Sequence, residues 1–451
     1  MTASLHFAEA LLPDGWARNV RIEIGSGRFS RIESGVPAKP IDQPHAVALP
    51  GLPNLHSHAF QRGMAGMAER RGSSADSFWT WREAMYRFVD RIGPDDFQAI
   101  AAMAYAEMLE SGFVRVGEFH YLHHDPAGTP YGGAAMAEAI AAAADTTGIA
   151  LTLLPVFYAH SGFGGQSPGP GQRRFVCSLD KFAALHAASR TAIAPLPDAV
   201  LGLAPHSLRA VTPDQLSPLI ALADGDPIHI HVAEQQKEVA DCLAWSGARP
   251  VEWLLGNTAV DQRWCLVHAT HMTALESDLL AASGAVAGLC PVTEANLGDG
   301  LFPAPRYIAA GGRWGIGSDS NVKIDACEEL RWLEYGQRLG EQARNVFAGE
   351  TGESSGGVLY RSALFGGAQA LGASMGLATG NSADFLTLDP DHPALTGAAA
   401  DRWLDGLIFA AGRGAIDTVW RRGTRVVSGG RHHDRERIAA RYRAVLASLL
   451  A

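Results

Sequence analysis

The chain has 451 residues, 47% of them hydrophobic and 19% charged, with a formal net charge of −10. That length exceeds one small domain and suits a barrel of about 250 residues or more with an appendage. The negative balance and the absence of a long basic run argue against nucleic acid or anionic membranes as partners, and no run of about 18 apolar residues offers a membrane span.

The opening residues, Met1-Thr2-Ala3-Ser4-Leu5-His6-Phe7, lack the basic start and apolar core of a signal peptide. The five cysteines form no C-x-x-C pair, which argues against a disulfide framework or a thiolate zinc site. These features favour the cytoplasm. Short strands are expected at Leu5-His6-Phe7, Val20–Ile24 and Phe29–Ile32, separated by turns such as Asp14-Gly15 and Gly25-Ser26-Gly27. The other end has the same texture, with strands at 383–388, 416–420 and 425–427 and a terminal helix from Arg435 to Ala451. Neither end is long enough to bury a good core alone. The expected arrangement is one small β-sandwich built from residues 1–50 and 371–451, flanking a central domain of residues 51–370.

In that central region short apolar strands alternate with Ala- and Leu-rich helical stretches, the pattern of βα repeats. Eight strands are predicted near 51–56, 114–118, 149–156, 200–204, 228–232, 264–268, 285–289 and 314–318. The fold class expected is therefore α/β, a (β/α)8 TIM-like barrel, with catalytic groups at the C-terminal strand ends. A doubly wound sheet is the rival; no G-x-G-x-x-G follows the first strand, which weakens its dinucleotide-binding version.

Histidines and carboxylates fall at those strand ends. His56 and His58 close strand 1, and alternation along a strand points both the same way. Strand 5, Ile228–Val232, carries His231 with Glu234 three residues on; strand 6 ends in His268; strand 8 runs into Asp319. Imidazoles and a carboxylate suit zinc or a similar divalent ion.

This set, His-x-His after strand 1, His231, His268 and Asp319, resembles the amidohydrolase superfamily, and Glu234 narrows the resemblance to its deaminase branch. The likeness spans nearly the whole chain, the split sandwich included. Two-metal members of that superfamily bridge their ions with a carboxylated lysine or a glutamate after strand 4. Strand 4 here, Val200–His206, offers neither, and Lys181 lies in a predicted helix. The resemblance thus implies one divalent metal ion, Zn2+ by the donor set, held by His56, His58, His231 and Asp319. It further implies Asp319 as acceptor of the water proton, His268 as the group that orients water or the tetrahedral centre, and Glu234 as proton shuttle. The bland alternative for Glu234 is a carboxylate at a helix start.

Pocket residues separate the possible substrates. Gln61 and Arg62 follow the histidine pair, a Trp-rich loop ends Trp79-Thr80-Trp81-Arg82, Tyr121 follows strand 2, and His206 and Arg209 follow strand 4. Arginine forks bind carboxylates bidentately, so Arg82 and Arg209 suit a small ligand with two carboxylates. "LHSHAFQRGMAG", "TWR", "GEFHYLHH", "APHSLRAV" and "HIHVAEQ" are similar to segments of the amidohydrolases that act on linear amidines. That resemblance implies hydrolysis of a formimino C=N on glutamate in histidine degradation, with Gln61, Arg82, Tyr121, His206 and Arg209 around a small dicarboxylate. A homodimer is implied by family analogy. The alternatives are an aromatic-ring aminohydrolase of the guanine, pterin or adenosine/S-adenosylhomocysteine type on the same fold, and a non-catalytic barrel used in assembly. Which of Arg62, His120, His123 and His124 point inward stays open, as does which of Arg62, Arg82 and Arg209 meet the carboxylates. His123 and His124 read equally well as solvated loop residues, and Cys265 and Cys290 read as core.

Overall fold

The computed structural model describes residues 3–69 and 78–451. Strands β1 (Ala3–Leu12) and β2 (Gly15–Gly25) form a long antiparallel hairpin, and β3 (Arg28–Glu33) pairs with β2. β4 (Gln43–Pro50) runs parallel to β1 and leads directly into β5 (Leu52–Ser57), the first barrel strand. The sequence pattern misses β4 because Pro44 interrupts its start and its apolar end, Val47-Ala48-Leu49, merges with the strand that follows.

The barrel continues through β6 (Phe113–His120), β7 (Ala150–Phe157), β8 (Val200–Leu201) with β9 (Ala204–Pro205), β10 (Ile228–Val232), β11 (Trp264–His268), β12 (Val286–Leu289) and β13 (Arg313–Ile316). All neighbours are parallel. Bridges Leu203–Ile228, Ser207–His231 and Ser57–Asp319 close the ring. Each of the eight predicted strands is present, and strand 4 is broken into two short pieces at Gly202. A Cβ there would lie 2.6 Å from the Pro227 carbonyl oxygen, so only glycine lets the neighbouring backbone approach. Barrel strands such as β6, β7 and β10 are buried along their full length, as expected when helices cover the outside of a parallel sheet.

The chain returns through β14 (Phe385–Leu388), β15 (Ile416–Arg421), β16 (Thr424–Ser428) and β17 (Arg431–His432). These join the N-terminal strands in one eight-stranded sheet, ordered β17-β16-β15-β14-β4-β1-β2-β3. The sheet doubles back on itself. Phe29 N donates to the Asn381 carbonyl at 3.0 Å, and Phe385 packs against Phe7, Phe29 and Trp420. Leu5, Val20 and Ile22 complete a core separate from that of the barrel. The C-terminal helix, Arg435–Leu450, packs on α2 (Pro94–Glu110). The predicted Trp-rich loop proves to be the start of helix α1 (Phe78–Val89), because Trp81, Met85, Phe88 and Val89 repeat at helical spacing. Among the described residues no helix is long and apolar enough to cross a membrane.

Sheet and barrel are joined by buried charge below the barrel. Arg421 of β15 pairs with Asp198 at 2.6 Å and with Asp384, and donates to the Gly148 carbonyl at 3.0 Å. Asp198 and Gly148 lie just before β8 and β7, at the N-terminal face that stabilises such barrels. Arg421→Ala should remove the cation shared by two half-buried carboxylates and lower the unfolding free energy by about 3 kcal/mol, read from denaturant titration.

Candidate active site

The C-terminal ends of β5, β10 and β13 bring three imidazoles and a carboxylate together. The pairing of β5 with β6 slips by one residue, since Asn54 faces Val116 while Ser57 faces Glu118. That bulge re-aims the strand end as it enters His56-Ser57-His58. His56 Nε2 lies 3.2 Å from His58 Nε2 and 3.0 Å from His231 Nε2, and Asp319 Oδ1 lies 3.4 and 3.2 Å from the first two. Gly317 permits this crowding, because a Cβ there would sit 2.9 Å from that of His56.

The donor atoms are in a state that suits a cation. Burial pushes His56 down to about 3 and also lowers His58 and His231, so all three rings are neutral at working pH. His58 Nδ1 faces the Phe119 carbonyl at 2.9 Å, which puts the proton on Nδ1 and leaves a lone pair on Nε2. Facing lone pairs repel unless something positive lies between them. Tetrahedral ligands about 2.0–2.1 Å from a zinc ion sit about 3.3 Å apart, close to the separations found here. Residues and group therefore fit. Asp319 is held well below the usual carboxylate range: burial opposes this, but His56, His58 and His268 outweigh it.

Glu234 and His268 stand beside this cluster. His268 Nε2 is 3.9 Å from both Glu234 Oε1 and Asp319 Oδ2, and its Nδ1 is 3.3 Å from Glu294 Oε1. Burial pushes Glu234 up to about 7, against the pull of His268 and Arg209. Burial disfavours the His268 imidazolium, yet Glu234, Glu294 and Asp319 prevail and raise it to about 10. The turns that present these groups are left-handed at non-glycine residues: Ala233 has φ 52°, His268 69°, Ala269 48° and Asp319 43°. Such residues cost about 1–3 kcal/mol each and gather where geometry is imposed for function. At Ala233 the strain is met by Glu238, which accepts from the backbone N–H groups of Ala233 and Glu234.

A pocket of about 670 Å³, its mouth included, opens above the cluster. His58, Gln61, Arg82, Tyr121, His206, Arg209, His231, Glu234, His268 and Asp319 all line it, and His56 lies buried beneath. Every predicted site residue thus falls in one place. Gln61 Nε2 donates to the Tyr121 hydroxyl at 2.9 Å. Arg82 lies over the Tyr86 ring at 5.6 Å, and Arg209 carries its charge between the Glu238 and Glu234 carboxylates and the hydroxyls of Tyr158 and Tyr86.

The open alternatives resolve. Arg62 turns away from the pocket and pairs with Glu107 at 2.6 Å. His123 and His124 are buried, not solvated, because their Nε2 atoms meet the Val156 and Val176 carbonyls at 2.8 and 2.9 Å. His120 is buried against Phe97 and His123 and does not line the pocket. Cys265 and Cys290 are core, and burial holds both thiols protonated. Tyr86, Tyr158 and Glu294 are additions. Tyr158 directly follows β7 and could have been found by asking what ends strand 3; Tyr86 lies one helical turn after Arg82.

A closed parallel barrel with a buried three-histidine, one-aspartate cluster at its C-terminal mouth defines the metal-dependent hydrolase class. The amidohydrolase family profile matches residues 47–426, and that of the formimidoylglutamate deiminase HutF N-terminal domain matches residues 2–46. The chain is 52% identical to the formimidoylglutamate deiminase of Pseudomonas aeruginosa over 98% of its own length and 99% of the relative's. It superposes on the crystal structure of an amidohydrolase from Brucella melitensis with TM-score 0.96 and 55% identity, covering 100% of both chains. A zinc-bound adenosine deaminase from Xanthomonas campestris shares the fold, with TM-score 0.81 and 22% identity over 99% of this chain and 98% of that one. The chain belongs to the amidohydrolase family and, within it, to the formimidoylglutamate deiminases.

Arg62→Ala should leave KM unchanged within about twofold while lowering the thermal midpoint, because its partner Glu107 is buried and outside the pocket. Steady-state kinetics beside a melting curve checks both halves.

Proposed function

We propose that the chain hydrolyses the formimino C=N bond of N-formimino-L-glutamate, giving N-formyl-L-glutamate and ammonia, a step of histidine degradation. The observation that carries the substrate choice is a pair of arginines, Arg82 and Arg209, lining one pocket with Glu234 and the metal-type cluster. A dicarboxylate with an amidine head matches that layout. A flat neutral purine would bring no carboxylates to Arg82 and Arg209, which disfavours the aromatic-ring reading.

In this reading His56, His58, His231 and Asp319 hold one zinc ion, the metal that imidazole and carboxylate donors suit. When bound, the ion supplies Lewis acidity that makes water a nucleophile near neutral pH. Asp319 accepts the proton that water gives up. Glu234, protonated near neutrality, gives its proton to the imino nitrogen, so the carbon becomes electrophilic. As the tetrahedral centre collapses, Glu234 takes the proton of the new hydroxyl and hands it to the nitrogen, the C–N bond breaks and ammonia leaves, and the proton held on Asp319 restores Glu234. His268, cationic between three carboxylates, hydrogen-bonds the oxygen that turns negative on the tetrahedral carbon. Glu294 fixes its ring by accepting from Nδ1. Arg82 and Arg209 grip the carboxylates, and Gln61, Tyr121 and His206 orient the amidine end.

The five cysteines are all free and buried, in keeping with the cytoplasm as the working compartment. The exposed Trp332 and Leu339 on helix Ala326–Glu341 are consistent with the homodimer that the family resemblance implies.

Ammonia release from formiminoglutamate, measured beside guanine and adenosine, tests the substrate. Turnover of a purine with none of formiminoglutamate would overturn it. Arg209→Ala should raise KM strongly with metal content unchanged, a loss of about 2–5 kcal/mol in kcat/KM. Glu234→Gln should keep the metal and lower kcat by about 10²–10⁴-fold; a fully active glutamine variant would remove the shuttle role.

A further inference from the structure

Helix α1 carries Arg82 and Tyr86 to the pocket, and a segment far away in sequence holds the end of that helix. Arg174 is wholly buried, yet its guanidinium donates to three main-chain carbonyls from two separate stretches. Nε meets the His124 carbonyl at 2.8 Å, Nη2 the Ile92 carbonyl at 2.8 Å, and Nη1 the carbonyl of Val89, the last residue of α1. A cation at a helix C-terminus satisfies orphan carbonyls and opposes the negative end of the helix dipole. Here it also costs desolvation, which lowers the affinity of Arg174 for its proton. So buried an arginine, with each guanidinium nitrogen on a main-chain carbonyl, signals a position that must be fixed.

The neighbours of Arg174 press on the same helix. Arg173 pairs with Asp90 at 2.9 Å. A Cβ on Gly171 would lie 2.8 Å from Tyr86 Cδ2 and 3.2 Å from Cγ, so the backbone there rests on the Tyr86 ring. Gln172 Nε2 donates to the Tyr158 hydroxyl at 2.5 Å, which ties the segment to a second pocket-lining tyrosine.

We propose that Gly171–Arg174 is a positioning brace for substrate selection: it fixes α1 so that Arg82 meets one carboxylate of the ligand. The brace touches no substrate and acts through Arg82, so it rests on the Arg82 assignment made above. A merely structural segment would, when weakened, lower stability and slow all substrates alike. The brace instead predicts a loss confined to the carboxylate that Arg82 grips.

The experiment uses full-length, metal-loaded Arg174→Lys and Gly171→Ala, with Arg82→Ala as reference. Lysine keeps the charge but cannot span three carbonyls. Alanine at 171 meets only the Tyr86 ring and leaves Arg174 in place. Kinetics are read on formiminoglutamate, on N-formiminoglycine, which lacks the side-chain carboxylate, and on 4-formiminoaminobutyrate, which lacks the α-carboxylate; metal content and melting temperature are read alongside. Arg82→Ala should leave kcat/KM unchanged for one analogue, which identifies the carboxylate it grips. Both brace variants should raise KM for formiminoglutamate about tenfold, keep kcat within about threefold, and spare that same analogue. Unchanged KM in both variants, or equal losses on all three substrates, would overturn the brace with the Arg82 assignment intact. Arg82→Ala acting equally on all three would remove that assignment and the brace with it. Should Arg174→Lys fail to fold, Gly171→Ala decides by the same readings.

Discussion

Three neutral imidazoles and one carboxylate converge to 3.0–3.4 Å at the barrel mouth, and that convergence is the constraint the rest of the structure serves. The cluster is stable only around a positive charge, and it forms only if β5 and β13 meet at one fixed offset. A buried polar network sets that offset. Asn54 bonds the Ser318 backbone and hydroxyl, Ser318 bonds Asn321, and Asn321 reaches Ser57, between the two histidines. Glu118 then accepts from the Ala59 N–H, immediately beyond His58. The Asn54–Ser318 and Asn321–Ser57 links cross between the ends of β5 and β13. Left-handed backbone at Asp319 and His268 is the strain this network has to hold.

Charge is distributed around the cluster by function. On one side Glu234, Glu294 and Asp319 surround His268, and burial brings Glu234 near neutrality, where acid–base work is efficient. On the other, Arg82 and Arg209 stand with Tyr86 and Tyr158. Acidic and basic groups thus line one pocket, with Glu234 and Arg209 close enough to act on each other's charge.

The ligand set was legible because strand alternation and barrel topology are local rules. His56 and His58 share a face by period two, and His231, His268 and Asp319 each close a strand whose apolar run is visible. The eight strands follow from the same pattern. What stayed hidden depends on distant partners. His123 and His124 look solvated until the Val156 and Val176 carbonyls are placed over their rings. Strand β4 hides behind a proline, although it joins the two halves of the sheet. Tyr86 carries no signal of its own in the sequence, and only packing against Gly171 and Arg82 gives it a pocket face.

The arginines make the limit plain. Arg62, Arg174, Arg209 and Arg421 are all largely buried, and nothing in their neighbouring residues announces which would meet substrate. Arg62 neutralises Glu107; Arg421 bolts sheet to barrel through Asp198 and Asp384; Arg174 caps the end of a helix. Each of these is satisfied by protein groups fixed in the fold. Arg209 differs: beyond its carboxylate neighbours it faces a cavity lined by Tyr158, His206 and Glu234. Burial alone does not separate these four arginines, because the fold buries a cation wherever it supplies acceptors. Position does: Arg209 is the one of the four whose side chain lies in the pocket wall beside Glu234.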